Sequence, residues 1–272
     1  MTKLTPEQIS AKCRAIRRSV LEMNHRAGQG HTGADLSETD ILASLYFRIL
    51  NVSPDRLDDP DRDRFILSKG HGVGGYYCTL AEAGFFPCER LASFQEEGGL
   101  PGHPVRQKTP GIELNTGALG HGLPVAVGLA LAARLNNRPY RVFVLTGDGE
   151  LDEGSNWEAA MAAAHYKLGN LVWIIDRNTL QLADRTETIM ALEPLADKVR
   201  AFGFDLHETD GNNVAAFIGT VESLDFTAGR PHAILARTTK GKGVSFIEDK
   251  APWHHKVPSA EELTAALKEL SL

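Results

Sequence analysis

The residues best suited to chemistry in this sequence are a carboxylate and a carboxamide at two strand ends. Gly147-Asp148-Gly149 directly follows the apolar, β-branched run Tyr140–Thr146, and Asn178 stands just beyond a second such run, Leu171–Asp176. Side chains at neighbouring strand tips can share a hard cation. Magnesium takes octahedral oxygen ligands, commonly one or two carboxylates together with phosphate oxygens. Flanking glycines let a phosphate approach the backbone closely. Taken alone, Gly-Asp-Gly at a strand end is equally well a tight turn. Asn178 at a matching strand position favours the ligand set.

Histidines form the second group. An isolated histidine beside glycine is more often a hydrogen-bonded structural residue than a catalyst. His31, His71 and His103, however, each sit in a glycine- or proline-flanked turn, where a side chain is readily exposed to a cleft. His165 on a helix and His207 and His232 on strands read as structural. His121, inside Gly120-His-Gly122, stays outside the catalytic set. No HExxH or comparable spacing supports a zinc hydrolase.

The elements that position these residues can be read from periodicity. Thr5-Pro6-Glu7-Gln8 is a capping box, and Ile9, Cys13, Ile16, Val20 and Met23 mark one face of a helix ending near Ala27-Gly28. Ser37 with Asp40 predicts a cap for a helix over Ile41–Leu50. Strands are predicted at Arg64–Ser68, Tyr140–Thr146, Leu171–Asp176 and His232–Thr238. Helices are predicted around Tyr76–Ala83, over Ala118–Leu135, and at about 154–168, 193–202, 213–224 and 259–270. Apolar strands separated by helices imply an α/β fold, a doubly wound and mostly parallel sheet with helices on both faces. No repeat, low-complexity tract or linker interrupts residues 1–272, so one domain is expected. Ligands of such sheets collect beyond the carboxyl ends of the strands, where Asp148 and Asn178 fall.

Composition narrows the partners. A net charge of −6 offers no basic face for nucleic acid or an anionic membrane. No apolar run reaches membrane-spanning length, and Met1–Ser10 lacks the apolar core of a signal peptide. Cys13, Cys78 and Cys88 make no CxxC pair and no even framework, so reduced thiols in a cytoplasmic protein are expected.

Gly147-Asp148-Gly149, its spacing to Asn178 and the run Asn178-Thr-Leu-Gln181 resemble the thiamine-diphosphate signature of the transketolase family. Similar motifs follow in the family's order: Gly30-His31-Thr-Gly33, Leu67-Ser-Lys-Gly-His71-Gly72, Pro101-Gly-His103-Pro104, Thr116-Gly-Ala-Leu-Gly120 and Trp253-His254. The resemblance covers about residues 10–262. Thr179 stands where the broader signature often has a second asparagine, and His255 where relatives often have glycine. The resemblance implies that Asp148, Asn178 and the Leu180 carbonyl ligate Mg2+, with Ca2+ or Mn2+ able to substitute. It implies that the Gly149 N–H, His71 and His254 face the diphosphate, that Gly117 and Leu119 border the aminopyrimidine, and that Leu182 lines the thiazolium pocket. His31 and His103 then act on substrate hydroxyls and the carbonyl, and Glu153 joins a carboxylate network at a subunit interface.

The activity so implied is transfer of a two-carbon ketol unit from a ketose to an aldose. In this family a glutamate on a pyrimidine-binding domain protonates N1′ of the cofactor, and a third domain follows it. Neither domain is found in residues 1–272. A separate C-terminal transketolase subunit carrying that glutamate is therefore expected as partner in an α2β2 heterotetramer with a large obligate interface, acting on small sugar substrates. Two rival readings stand beside this one. A non-catalytic subunit could keep the fold without the chemistry, although the ligand and histidine set is complete here. A dinucleotide-binding oxidoreductase is suggested by Gly70-His-Gly72-Val-Gly74-Gly75, which matches G-x-G-x-x-G but leaves Asp148 and Asn178 idle.

Overall fold

A computed structural model describes residues 3–182 and 184–271. Met1, Thr2 (the start of the polar Met1–Ser10 stretch), Ala183 and Leu272 lie outside the described residues. Helix α1 (Pro6–Ala27) starts at the expected capping box and stops at Gly28, whose φ of 63° is left-handed. Two short helices follow, α2 (Thr32–Ser37) and α3 (Thr39–Ser44), the second running into a π-helical turn, Leu45–Ile49. Ser37 is thus no N-cap. It closes α2, and its hydroxyl donates to Asp176 Oδ2 at 2.7 Å and to the Ala34 carbonyl. A buried carboxylate across the fold outcompetes a local cap.

Strands β1 (Arg64–Leu67), β2 (Val142–Gly147) and β3 (Leu171–Arg177) run in sequence, and the small antiparallel pair β4 (Leu180–Gln181) and β5 (Asp184–Arg185) follows β3. Strands β6 (Asp205–Asp210) and β7 (His232–Arg237) complete the main sheet in the order β1-β2-β3-β7-β6, every pair parallel. Helices α4 (Val73–Glu82), α5 (Gly122–Leu135), α6 (Gly154–His165), α7 (Thr186–Ile189), α8 (Leu195–Ala201), α9 (Val214–Glu222) and α10 (Ala260–Glu269) fill the connections. Helix α5 begins four residues later than predicted. The preceding loop turns at Gly120, with φ 79°, so that its N–H meets the Glu150 carboxylate.

Alternate side chains of each strand enter opposite cores. Phe65, Leu67, Phe143, Leu145, Val172 and Ile174 pack with residues of α1, α3, α4 and α9. Ile66, Val142, Val144, Trp173 and Ile175 pack with α5, α6 and α8. This period of two, buried on both faces, explains why the strands read as continuous apolar runs. No helix among the described residues is long and apolar enough to cross a membrane.

Candidate active site

Four strands deliver polar residues from their carboxyl ends to one cleft. After β1 come Ser68, Lys69 and the turn Gly70–Gly72; after β2, Asp148–Glu150; after β3, Asn178–Leu182; after β7, Lys240. Because β2 and β3 are neighbours, with Gly147 opposite Asp176, the Asp148 and Asn178 tips lie side by side. The cleft measures about 240 Å³, and His31, His71, Gly117, Leu119, Asp148, Gly149, Asn178, Leu180, Leu182 and His254 all line it. His103 lines an adjoining cavity of about 350 Å³ with His31 and His255. His31 lines both spaces, and a Cβ on Gly117 of the cleft would stand 3.0 Å from the His103 ring. Glu153 lines neither cavity. It is exposed at the start of α6.

Asp148 is almost wholly buried. Its Oδ1 accepts the Gly149 N–H at 2.8 Å, and its Oδ2 accepts the Thr179 N–H at 2.6 Å and Arg177 Nη1 at 3.1 Å. Burial, then the nearby Asp176, pushes its carboxyl up to about 6. Asn178 Oδ1 accepts the Leu180 N–H at 3.2 Å. The loop they share holds Thr179 and Leu182 at φ 67° and 46°. Left-handed backbone at non-glycine residues costs about 1–3 kcal/mol each and is characteristic of functional sites. At Gly149 a Cβ would meet the Gln181 side chain at 2.8 Å, so glycine is needed for this approach.

Beneath the cleft, Lys69 is fully buried between Glu38 at 2.9 Å and Asp176 at 2.5 Å. Burial alone would depress its pKa, but the Asp176 and Glu38 carboxylates outweigh that and raise it. Lys240 is different. Only 3% exposed, it donates to the Leu180 carbonyl at 3.1 Å and to His254 Nδ1 at 2.8 Å, and no carboxylate among the described residues pairs with it. Burial, then the charge of Lys69, pushes it down to about 8. A lysine donating to His254 Nδ1 leaves the Nε2 of that ring as the remaining donor. Burial and cationic neighbours hold the other rings neutral at pH 7: His31 falls to about 4, His254 to about 3, and His71 lies well below its ordinary value. The centroids of these three rings lie 5.2–5.4 Å apart.

A buried ammonium without a carboxylate partner among the described residues, beside three neutral imidazoles, is an arrangement suited to an anion. The adjoining Asp148 carboxylate, Asn178 carboxamide and Leu180 carbonyl form an all-oxygen donor set suited to a hard cation. A diphosphate carrying a divalent ion fits both halves of this arrangement. The Gly70–Gly75 run does not offer a second cradle. Added Cβ atoms there would strike Thr116 and Gly117, the Glu38 carboxylate, or Asp35, so these glycines serve internal packing and the dinucleotide reading fails.

Sequence reasoning missed Lys69, Glu150, Arg177 and Lys240. Glu150, buried, accepts N–H groups from Gly120 and Gly147 and the Ser68 hydroxyl, and so shapes the loop ahead of α5. Lys240 carried a signal: it lies just past a strand end and precedes a glycine, as Lys69 and Asp148 do.

A family described as "Transketolase, thiamine diphosphate binding domain" matches residues 9–271. The chain is 56% identical to one of the subunits of the apulose-4-phosphate transketolase of Actinobacillus succinogenes, over 98% of this chain and 97% of that one. It is 41% identical to the 6-deoxy-6-sulfo-D-fructose transketolase subunit SqwG of a Clostridium species, over 98% of each. The structure superposes on the transketolase of Leishmania mexicana with a TM-score of 0.90 at 30% identity, covering 99% of this chain and 42% of that one. It therefore spans about two-fifths of a longer transketolase but almost the full length of these two subunits. The chain belongs to the transketolase family, as an N-terminal subunit built on its thiamine-diphosphate-binding domain.

Proposed function

We propose that residues 1–272 form a single domain that holds the diphosphate end of thiamine diphosphate through a divalent cation, Mg2+ by preference. Asp148, Asn178 and the Leu180 carbonyl are the protein ligands of that cation. The Gly149 N–H, His71, His254 and Lys240 face the diphosphate; Gly117 and Leu119 border the aminopyrimidine, and Leu182 the thiazolium. Bound thiamine diphosphate supplies the electron sink for a two-carbon unit. The chain's own part is to fix that group, exclude water and handle protons. His31 and His103, on the wall between the two cavities, bind sugar hydroxyls and carry protons at the substrate carbonyl. The lowered pKa of His31 keeps it a neutral donor or acceptor through the physiological range.

The second half of the site comes from a C-terminal transketolase subunit that carries the N1′-protonating glutamate, in an α2β2 assembly located in the cytoplasm. Exposed apolar side chains support this. Leu135 is 71% exposed at the end of α5 and Met161 61% exposed on α6, with Val125 exposed near the start of α5 and Tyr166 just after α6. Glu153, exposed in this chain, becomes buried at that interface. An obligate contact of this kind covers more than about 2,000 Å². Similarity to a protein named for apulose-4-phosphate supports a ketose phosphate donor of that kind.

The observation that carries the reading is Lys240, a buried cation with no carboxylate partner among the described residues, beside an oxygen donor set. Calorimetric titration with thiamine diphosphate tests it. Tight binding should require Mg2+ and be absent with NAD. In the complex reconstituted with its partner, Asp148→Ala should abolish ketol transfer; retained activity would leave the chain a structural subunit.

A further inference from the structure

Among the described residues, one group of potential metal ligands lies far from this cleft, at the amino-terminal ends of β6 and β7. We propose that Asp205, His207 and His232 form a divalent transition-metal site of the zinc class that staples the edge strand β6 to β7. The placement follows from strand geometry. Asp205 and His207 are two residues apart and share a face of β6, while His232 of β7 is the register partner of Asp205. Asp205 Oδ2 stands 3.1 Å from His207 Nε2 and 3.3 Å from His232 Nδ1, and the three ligand atoms all lie within 4.8 Å of one another.

The two separations from Asp205 match those in a tetrahedral ion site. Zinc bonds of about 2.0–2.1 Å to nitrogen and oxygen place neighbouring ligand atoms about 3.3 Å apart. The independent observation is His232. It is wholly buried, neither of its ring nitrogens makes a well-aligned hydrogen bond, and its Nδ1 stands 3.3 Å from the shared Asp205 oxygen. Buried imidazole nitrogens are rarely left without partners, and an ion at this position would satisfy Nδ1. Phe226 packs edge-on against the same ring and fixes its plane. The His207 and Asp205 side chains are 31% and 39% exposed, which leaves an entry path and a fourth position for water. Two imidazoles and one carboxylate suit a borderline ion and discriminate against Mg2+, which prefers oxygen. The site would therefore not compete for the cation of the cofactor cleft. Metal-clamped strands gain folding stability from the ion, and β6 is an edge strand, paired on one side only.

The test uses the chain with its partner subunit, stripped with chelator and then saturated with thiamine diphosphate and Mg2+. It is titrated with Co2+ and with Zn2+. The expected result is one equivalent of Co2+ with the intense visible absorption of tetrahedral coordination. His207→Ala and Asp205→Asn should lose that absorption and weaken Zn2+ binding by at least about 100-fold. His255→Ala, at the only other such histidine cluster among the described residues, should retain both. His207 is partly exposed, so its variant is expected to fold, and unchanged circular dichroism and thiamine diphosphate binding would establish that. No tetrahedral absorption in the wild type, equal absorption in His207→Ala, or loss of it in His255→Ala would overturn the assignment. The first two outcomes would reduce the group to imidazoles hydrogen-bonded to Asp205, and the third would place the ion among the histidines of the cleft.

Discussion

Replacing Lys240 with methionine should make the cofactor-free chain more stable while weakening cofactor binding. The sign follows from its surroundings. The ammonium is buried without a carboxylate partner among the described residues, and its pKa falls from 10.5 to about 8, chiefly by burial. At 1.36 kcal/mol per pH unit, keeping it charged costs the folded chain about 3 kcal/mol. Methionine removes that cost and keeps the packing of the stem. It also removes the bonds to the Leu180 carbonyl and to His254 Nδ1, worth about 1 kcal/mol each, so a net gain of about 1 kcal/mol is expected in denaturant unfolding at pH 7. A charge-assisted bond to a phosphate oxygen is worth about 1.5–3 kcal/mol, so thiamine diphosphate affinity should fall by about 10- to 100-fold. The pH dependence has a defined sign. Between about pH 8 and 10.5 the unfolded chain binds more protons at this lysine than the folded one, so the wild type regains the lost stability as pH rises through that window. The Lys240→Met stability advantage should shrink across the same window. Calorimetry and urea unfolding, with and without cofactor, read both quantities. A variant that is less stable without cofactor, or that binds it as tightly as the wild type, would refute the reasoning.

Three further outcomes follow. Asp148→Asn, which keeps size but loses the anionic ligand, should bind thiamine diphosphate weakly and independently of Mg2+; titration with and without the metal checks this. His31→Asn should lower kcat of the reconstituted enzyme by about 100- to 10,000-fold with cofactor affinity nearly unchanged, as steady-state kinetics and titration together would reveal. Leu135→Glu with Met161→Lys should leave unfolding of the isolated chain within about 0.5 kcal/mol of wild type but abolish association with the partner in sedimentation velocity.

Much of this was legible because it is written in local patterns. Strand cores such as Val142–Leu145 and Leu171–Ile175 are buried on both faces, so their apolar runs are continuous, and the polar residues just past them had to be strand-end loops. Asp148 and Asn178 were found that way. What failed depends on contacts distant in sequence. Ser37 has the composition of a cap but serves Asp176 on β3. The Ala118–Leu135 pattern is helical throughout, yet Gly120 turns to meet Glu150. Lys69 and Arg177 look like ordinary strand-end cations until the fold surrounds them with Glu38, Asp176 and Asp148. Lys240 reads as an ordinary loop lysine until the segment after β7 folds against the Leu180 carbonyl and His254.

The most direct test of the cation-centred site is a crystal structure of the chain with thiamine diphosphate and Mn2+, with anomalous scattering used to locate the metal. A single strong peak is expected within bonding distance of Asp148, Asn178 and the Leu180 carbonyl, with diphosphate density running from it toward Lys240 and His254. A cofactor bound with no metal peak between those three residues, or with its diphosphate directed away from Lys240, would contradict it.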